Sequence, residues 1–316
     1  MDRIYGEDRV ETVITALVAS QPMQRLKRVN QFGLPDEFYH IKGFSRFEHS
    51  LGDMHLLKHL GASEEEQVAG LLHDVSHRAF SHVYDWVVGT AGKEDSQDDN
   101  HRQFIQGSQI KLILEAHGYS VDQITDYHNF GLLERDSPDL CADRVDYLLR
   151  EIEPGLAGEI FSGLKVTNGQ IVCADRATAS KLGRAFLARQ TGHWGGYESV
   201  ARYYHFSTAL KRALEIGIIH KEDFLIDDDY IVAKLESSQD KFILDTLAFL
   251  RHNPLPVVTE GITVVKKFRF IDPPFIDHGK LVSLTDIDRE YKQSLDQAFQ
   301  ENRKGVVVPA SPNPGD

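Results

Sequence analysis

Along most of the chain apolar residues recur at intervals of three and four. In "VETVITALVASQPMQRLKRV" Val10, Val13, Ile14, Leu17 and Val18 share one face, which predicts a helix interrupted at Pro22. "GDMHLLKHLGASEEEQVAGLLHDVSH" predicts two helices parted at Gly61 and Ala62, with Ser63 capping the second and Glu66 three residues on. The same period returns in "FIQGSQIKLILEAHGY", in "DLCADRVDYLLREIE" up to Pro154-Gly155, and between about 177 and 250. "LKVTNGQIVCA" breaks it: Asn168-Gly169 between alternating residues predicts a hairpin with a two-residue turn. Beyond "HNPLPVV" the pattern is β-branched and alternating, as in "GITVVKKFRFID", so residues 255–285 read as a small strand region packed on the helices. A last helix over 286–303 follows. The Gly/Asp/Ser-rich stretch 89–100 reads as a mobile acidic loop, and the Pro/Gly/Ser tail 309–316 as disordered. The expected fold is mainly α, with a helical domain over 1–254 and a small β-containing C-terminal region over 255–308.

Composition narrows the class. The 316 residues carry a formal net charge of −13, which disfavours bulk binding to nucleic acid or an anionic membrane, although a local basic pocket stays open. Two cysteines, Cys141 and Cys173, make no disulfide framework and point to a reducing compartment. The amino-terminal stretch is acidic and no long apolar run occurs, so a cytoplasmic protein is the expectation.

Histidine is clustered. His49 follows Arg46 in "RFEHSLGDMHLL", and "HDVSHRAFSH" begins with the adjacent pair His73-Asp74. Read as helical, that stretch sets His77 one turn beyond His73 on the same face. In "CADRVDYLLR", Asp143, Asp146, Tyr147 and Arg150 fall on one helical face, and Asp146 could equally form a solvated i,i+4 pair with Arg150. Imidazoles and carboxylates from separate helices suit a divalent metal. Each pair alone is common; H, then HD, then D on successive helices is not. His55, His59, His117 and His128 lack such company and read as surface or packing residues.

The blocks "QRLKRVNQFG", "RFEHSLGDMHL", "AGLLHDVSHRAFSH" and "DRVDYLLRE" resemble, in order, the HD-domain phosphohydrolase superfamily, and within it the branch of deoxynucleoside triphosphate triphosphohydrolases. The tail "KKFRFIDPPFIDHGKLVSLTDIDREY" is similar to that branch too. The resemblance implies an HD-domain helical bundle in which His49, His73, Asp74 and Asp143 hold one divalent transition metal: iron, manganese, zinc, nickel or cobalt, with Mg²⁺ a further candidate on the substrate phosphates. It places His77, His82 and Asp85 beside the scissile phosphate and His101 as a further active-site histidine. Arg46, Arg144 and Tyr147 match phosphate-contacting positions. Gln31, Phe32, Glu151 and Tyr203 match the sugar pocket, where Phe32 with Tyr203 closes the face a 2′-hydroxyl would occupy.

Some positions depart from the family pattern: Arg102 follows His101 where an acid is usual, Arg78 and Ala79 replace a glycine and a proline, and Arg144 stands where a lysine is common. The resemblance implies a metal-dependent phosphohydrolase with a small-molecule nucleotide substrate, a dNTP cleaved by metal-activated water to deoxynucleoside and triphosphate, and a homo-oligomer. Two alternatives stand beside it. One is hydrolysis of another phosphoester, such as a nucleoside monophosphate or cyclic dinucleotide. The other is a sensor that binds a nucleotide without turnover.

Overall fold

A computed structural model of the chain describes residues 12–92 and 98–312. Within them sixteen helices outweigh six short strands, as the dominant helical period requires. The predicted start of the first helix at Val10 and the tail beyond 312 lie outside the described residues, as do 93–97 of the acidic stretch; from Asp98 onward that stretch is a helix, Asp98–Gln106. Among the described residues no helix is long and apolar enough to cross a membrane.

Proline punctuates the chain as expected, and in two places it also restarts it. Ser20 caps a short helix, Gln21–Arg25, with Pro22 in its first turn, and Pro154 opens Pro154–Ser162 directly after Ala142–Glu151. A first-turn proline loses no hydrogen bond, because that N–H has no intrahelical partner.

Three helices frame the site. Arg46–His59 starts at a reciprocal cap: Ser45 Oγ accepts from the Glu48 N–H, while Glu48 Oε2 accepts from Ser45 N–H at 2.8 Å. Its buried face carries Arg46, His49, Gly52 and Asp53 together with Leu56 and Leu57. Glu64–Leu72 packs against it, capped by Ser63 as read from the sequence. Glu66 does not complete that cap; its carboxylate accepts from Leu132 N–H at 2.7 Å and Leu133 N–H at 3.1 Å, tying the helix to the loop that leads into Ala142–Glu151.

The strands are β1 (Leu164–Thr167), β2 (Gln170–Cys173), β3 (Ile262–Val264), β4 (Pro274–Asp277), β5 (Lys280–Ser283) and β6 (Val306–Val308). β1 and β2 form the expected hairpin, with Asn168 and Gly169 at φ of 52° and 71°. That hairpin does not stand alone. Cys173 pairs with Phe275 in parallel, so one sheet runs β1-β2-β4-β5, while β3 pairs with β6. Most of "GITVVKKFRFID" is therefore irregular, and it runs along the site. Two apolar cores result, one built on Arg46–His59 and its neighbours, the other on Tyr197–Glu215 with Phe38, Phe80 and Phe224. The site lies where they meet.

Candidate active site

Helix Glu64–Leu72 ends one residue before the His-Asp pair, and His73 is its C-cap. The helical spacing read for His73 and His77 is therefore corrected: the chain turns away after Leu72, and this exposes both neighbours His73 and Asp74 to one point. His49, from the facing helix, and Asp143, from the first turn of Ala142–Glu151, arrive at the same point. Nε2 of His49 is 3.0 Å from Asp143 Oδ1, 3.6 Å from Asp53 Oδ2 and 3.7 Å from Asp74 Oδ2. Nε2 of His73 is 3.1 Å from Asp53, 3.5 Å from Asp74 and 3.8 Å from Asp143.

The ring tautomers decide what this cluster wants. His49 Nδ1 lies 2.7 Å from Asp146 Oδ2, and His73 Nδ1 lies 2.7 Å from the Gly70 carbonyl. A carboxylate and a carbonyl only accept, so both Nδ1 atoms carry hydrogen and each ring turns its Nε2 inward. There His49 Nε2 pairs with Asp143 Oδ1 at 3.0 Å, while neither His73 Nε2 nor either Asp53 oxygen has a hydrogen-bond partner. One ligand atom each from His49, Asp53, His73 and Asp143 lies within 4.8 Å of all the others. Buried polar atoms without a partner are costly unless a cation stands between them. The residues present fit a divalent ion. Without one, burial opposes the charge of His49, but Asp53, Asp143 and Asp146 outweigh it and hold the imidazole well above its ordinary range. Burial, reinforced by Asp146, Asp143 and Asp74, pushes the Asp53 carboxyl up despite His49.

Asp146 is thus not a solvated partner of Arg150. It is fully buried and bridges His49 Nδ1 and Arg150 Nε, at 2.7 and 2.8 Å. Asp74 is held by Arg46: burial would raise its carboxyl, yet Arg46 Nη1 at 2.5 Å, with His73 and His77, keeps it well below the usual range.

His77 and His82 face one another, ring centres 5.2 Å apart. His77 is buried with Nε2 3.2 Å from Asp74; burial and then Arg46 lower its pKa to about 3. His82 is more open, its side chain 21 % exposed, with Asp85 at 3.4 Å from Nδ1. Two consecutive residues before it, Phe80 and Ser81, have φ of 64° and 47°, a left-handed backbone that non-glycine residues resist. Asp228 braces this turn, accepting from Phe80 N–H at 2.7 Å and Asn30 N–H at 2.8 Å. The turn presents Ser81 Oγ to Arg46 Nε at 2.8 Å and His82 to the cavity. His101 stands apart. Its nitrogens meet Ser76 Oγ at 3.0 Å and the Tyr127 hydroxyl at 2.5 Å, and burial, with His73, lowers its pKa to about 4. Arg102, in place of the usual acid, turns outward to Asp122.

A cavity of about 530 Å³ opens above the cluster. It is lined by His73, Asp74, His77, His82, Asp143 and Arg46, and also by Gln31, Phe32, Arg144, Tyr147, Glu151 and Tyr203. Asp85 and His101 are not part of its wall; Asp85 backs His82. Glu151 accepts from Trp194 Nε1 at 2.8 Å and pairs with His193 Nδ1 at 2.7 Å, and His193 Nε2 meets the Tyr39 hydroxyl at 3.0 Å. Sequence reading did not find Asp53, His193, Trp194, or the cations Lys266, Lys267 and Arg269 that line the same cavity. Only Asp53 left a local signal, its i,i+4 spacing from His49.

Comparison with known proteins places this arrangement. An HD-domain family model matches residues 46–151, the span that holds the His, His-Asp and Asp cluster. The uncharacterized protein YdhJ of Bacillus subtilis is 34 % identical over 318 residues, covering 97 % of each chain. The metal-dependent phosphohydrolase cns2 of Cordyceps militaris is 30 % identical over 231 residues, 69 % of this chain and 67 % of that one. A crystal structure of a Bacteroides thetaiotaomicron phosphohydrolase superposes with a TM-score of 0.70 over 90 % of this chain and 93 % of its own, at 19 % identity, which speaks for the fold. The chain belongs to the HD-domain metal-dependent phosphohydrolase family. It is accordingly an enzyme that hydrolyses a phosphoester.

Proposed function

We propose that the protein hydrolyses nucleotides, with dNTPs as the first substrate class, giving deoxynucleoside and triphosphate. The observation that carries this reading is the single cavity joining the His/Asp cluster to an aromatic and polar end. Phe32, Tyr39, Trp194 and Tyr203 line that end together with Gln31, whose buried oxygen has no hydrogen-bond partner and suits a sugar hydroxyl or base edge. Arg46, Arg144, Lys266, Lys267 and Arg269 offer charge for a polyphosphate. A deoxynucleoside triphosphate triphosphohydrolase SAMHD1 homolog of Dictyostelium discoideum, 30 % identical over 142 residues and 27 % of its own length, points the same way.

His49, His73, Asp74 and Asp143 would hold the ion, which when bound supplies Lewis acidity toward a phosphate oxygen and toward water. Arg46 keeps Nη2 without a hydrogen bond while its other nitrogens are fixed by Asp74 and Ser81, so a rigid donor remains for the phosphate. Burial and then Asp143 hold the Tyr147 phenol well above its ordinary range, so it stays a hydroxyl donor. Water adds to the α-phosphorus, the bond to the 5′-oxygen breaks, and that oxygen takes up a proton. His77 and His101 are neutral near pH 7 and store no proton to give. His82, lining the cavity and steadied by Asp85, is the proton donor in this reading.

One observation favours a smaller phosphate. Arg144 is already committed to the Asp139 carbonyl, Cys141 Sγ and Glu134 Oε1, which leaves less charge for a triphosphate than the sequence promised. Phosphorus NMR of products from a panel of dNTPs and nucleoside monophosphates, with Mn²⁺ supplied, separates the two. Triphosphate release supports the first reading; orthophosphate from monophosphates alone replaces it with the second.

A further inference from the structure

We propose that Asp53 is a direct ligand of the divalent ion, a carboxylate beyond the His49, His73, Asp74 and Asp143 set. This rests on the metal centre described above and extends it. Asp53 follows His49 by four residues on helix Arg46–His59, so one turn carries both to the same face.

Its isolation is the argument. Each other buried aspartate around the site has an evident partner: Asp146 has His49 and Arg150, Asp74 has Arg46, Asp85 has Thr90, and Asp228 has two backbone N–H groups. Asp53 is fully buried, and neither of its oxygens has a hydrogen bond. It faces instead Nε2 of His73 at 3.1 Å and Nε2 of His49 at 3.6 Å, the two ring nitrogens that point inward. A buried carboxylate without a hydrogen-bond donor, set beside two ring nitrogens, is placed as a metal ligand.

Asp53 also changes which cation is suited. Two imidazoles and three carboxylates exceed the four donors of a tetrahedral zinc site, and oxygen-rich, six-coordinate sets suit Mn²⁺ or Fe²⁺. The structure assigns Asp53 the role of biasing the site away from Zn²⁺.

The test is Asp53→Asn in the full chain, stripped of metal and titrated with Mn²⁺ and Zn²⁺ against a chelator, with bound Mn²⁺ followed by electron paramagnetic resonance. Mn²⁺ affinity is expected to fall roughly 10–100-fold, with a smaller loss for Zn²⁺. Asp53→Val, which removes the carboxylate altogether, is expected to lose Mn²⁺ affinity at least as far as Asp53→Asn, and wild-type Mn²⁺ affinity in the folded variant overturns the proposal. A folded Asp53→Asn protein that binds Mn²⁺ as the wild type does overturns the proposal. Should that variant fail to fold, anomalous diffraction from Mn²⁺-loaded wild type decides: an ion bonded to the Asp53 carboxylate supports it, and an ion held by the others with Asp53 outside overturns it. A wild type that binds no ion at all overturns the metal centre itself, whereas turnover with Asp53 detached overturns this inference alone.

Discussion

Gly52 offers a perturbation that alters no polar group. It lies in the middle of helix Arg46–His59, where alanine is ordinarily favoured by about 1 kcal/mol. A Cβ there would sit 2.0 Å from Asp146 Oδ1 and 2.2 Å from Arg150 Nη2. Neither atom can yield cheaply: Asp146 is fully buried and bound to His49, and Arg150 is 7 % exposed and bound to Asp146. Gly52→Ala must therefore part the pair or push both away from His49. Separating a buried ion pair costs about 3–5 kcal/mol, so after the helix gain the metal-free protein should lose roughly 2–4 kcal/mol. The same displacement frees the His49 ring, and losing such an orienting partner typically lowers metal affinity roughly 10–100-fold, or about 1.4–2.8 kcal/mol. Denaturant unfolding of the stripped protein reads the first quantity, and chelator competition with Mn²⁺ reads the second. Asp146→Asn, with Gly52 intact, should reproduce the affinity loss. A Gly52→Ala protein as stable as the wild type, with unchanged affinity, refutes the claim that Asp146 positions His49.

Other outcomes follow from single contacts. Arg46→Ala should lower kcat/KM by roughly 10²-fold, and Arg46→Lys should restore little, because an ammonium cannot reach Asp74 and Ser81 in fixed geometry and still leave a donor; steady-state kinetics at saturating metal checks this. His205 is 1 % exposed and burial lowers its pKa from 6.5 to about 4. The native state thus refuses a proton that the unfolded chain accepts, so the contribution is intact above pH 6.5 and is lost as pH falls toward about 4, by up to about 3 kcal/mol. Unfolding curves between pH 7 and 4 should show a shallower decline for His205→Phe, and parallel curves would contradict it. Both thiols should resist alkylation at pH 8 in the native protein, since burial raises Cys141 well above its usual range and Cys173 to about 12; rapid labelling without unfolding would sink that expectation.

Much of this architecture was legible in sequence because its causes are local. Periodicity marked the helices, Asn168-Gly169 the hairpin, and Ser63 a cap. The order of His49, His73-Asp74 and Asp143 marked a centre whose members do converge. What escaped depends on distant chain segments or on burial. An aspartate in "HSLGDMHL" reads as an ordinary helix residue, and only the surrounding carboxylates and ring nitrogens reveal Asp53 as stranded. Asp146 looked like half of a surface pair until its burial placed it behind His49. Periodicity extended the helix through His77, whereas the chain turns after Leu72 and uses that end to aim His73 and Asp74 together. "KKFRF" alternates like a strand, yet β3 stops at Val264 and the following cations line the cavity. Pairing of Cys173 with Phe275 joins segments a hundred residues apart, and no local pattern announces it.

The central claim is that phosphoester hydrolysis runs at an ion held by this cluster. Metal content by plasma mass spectrometry, taken on the same samples as phosphoester turnover for wild type and His73→Ala, tests it most directly. The expected result is a single divalent ion per chain with turnover in the wild type, and loss of both in the folded variant. Turnover and metal content that survive the loss of His73 would contradict the account.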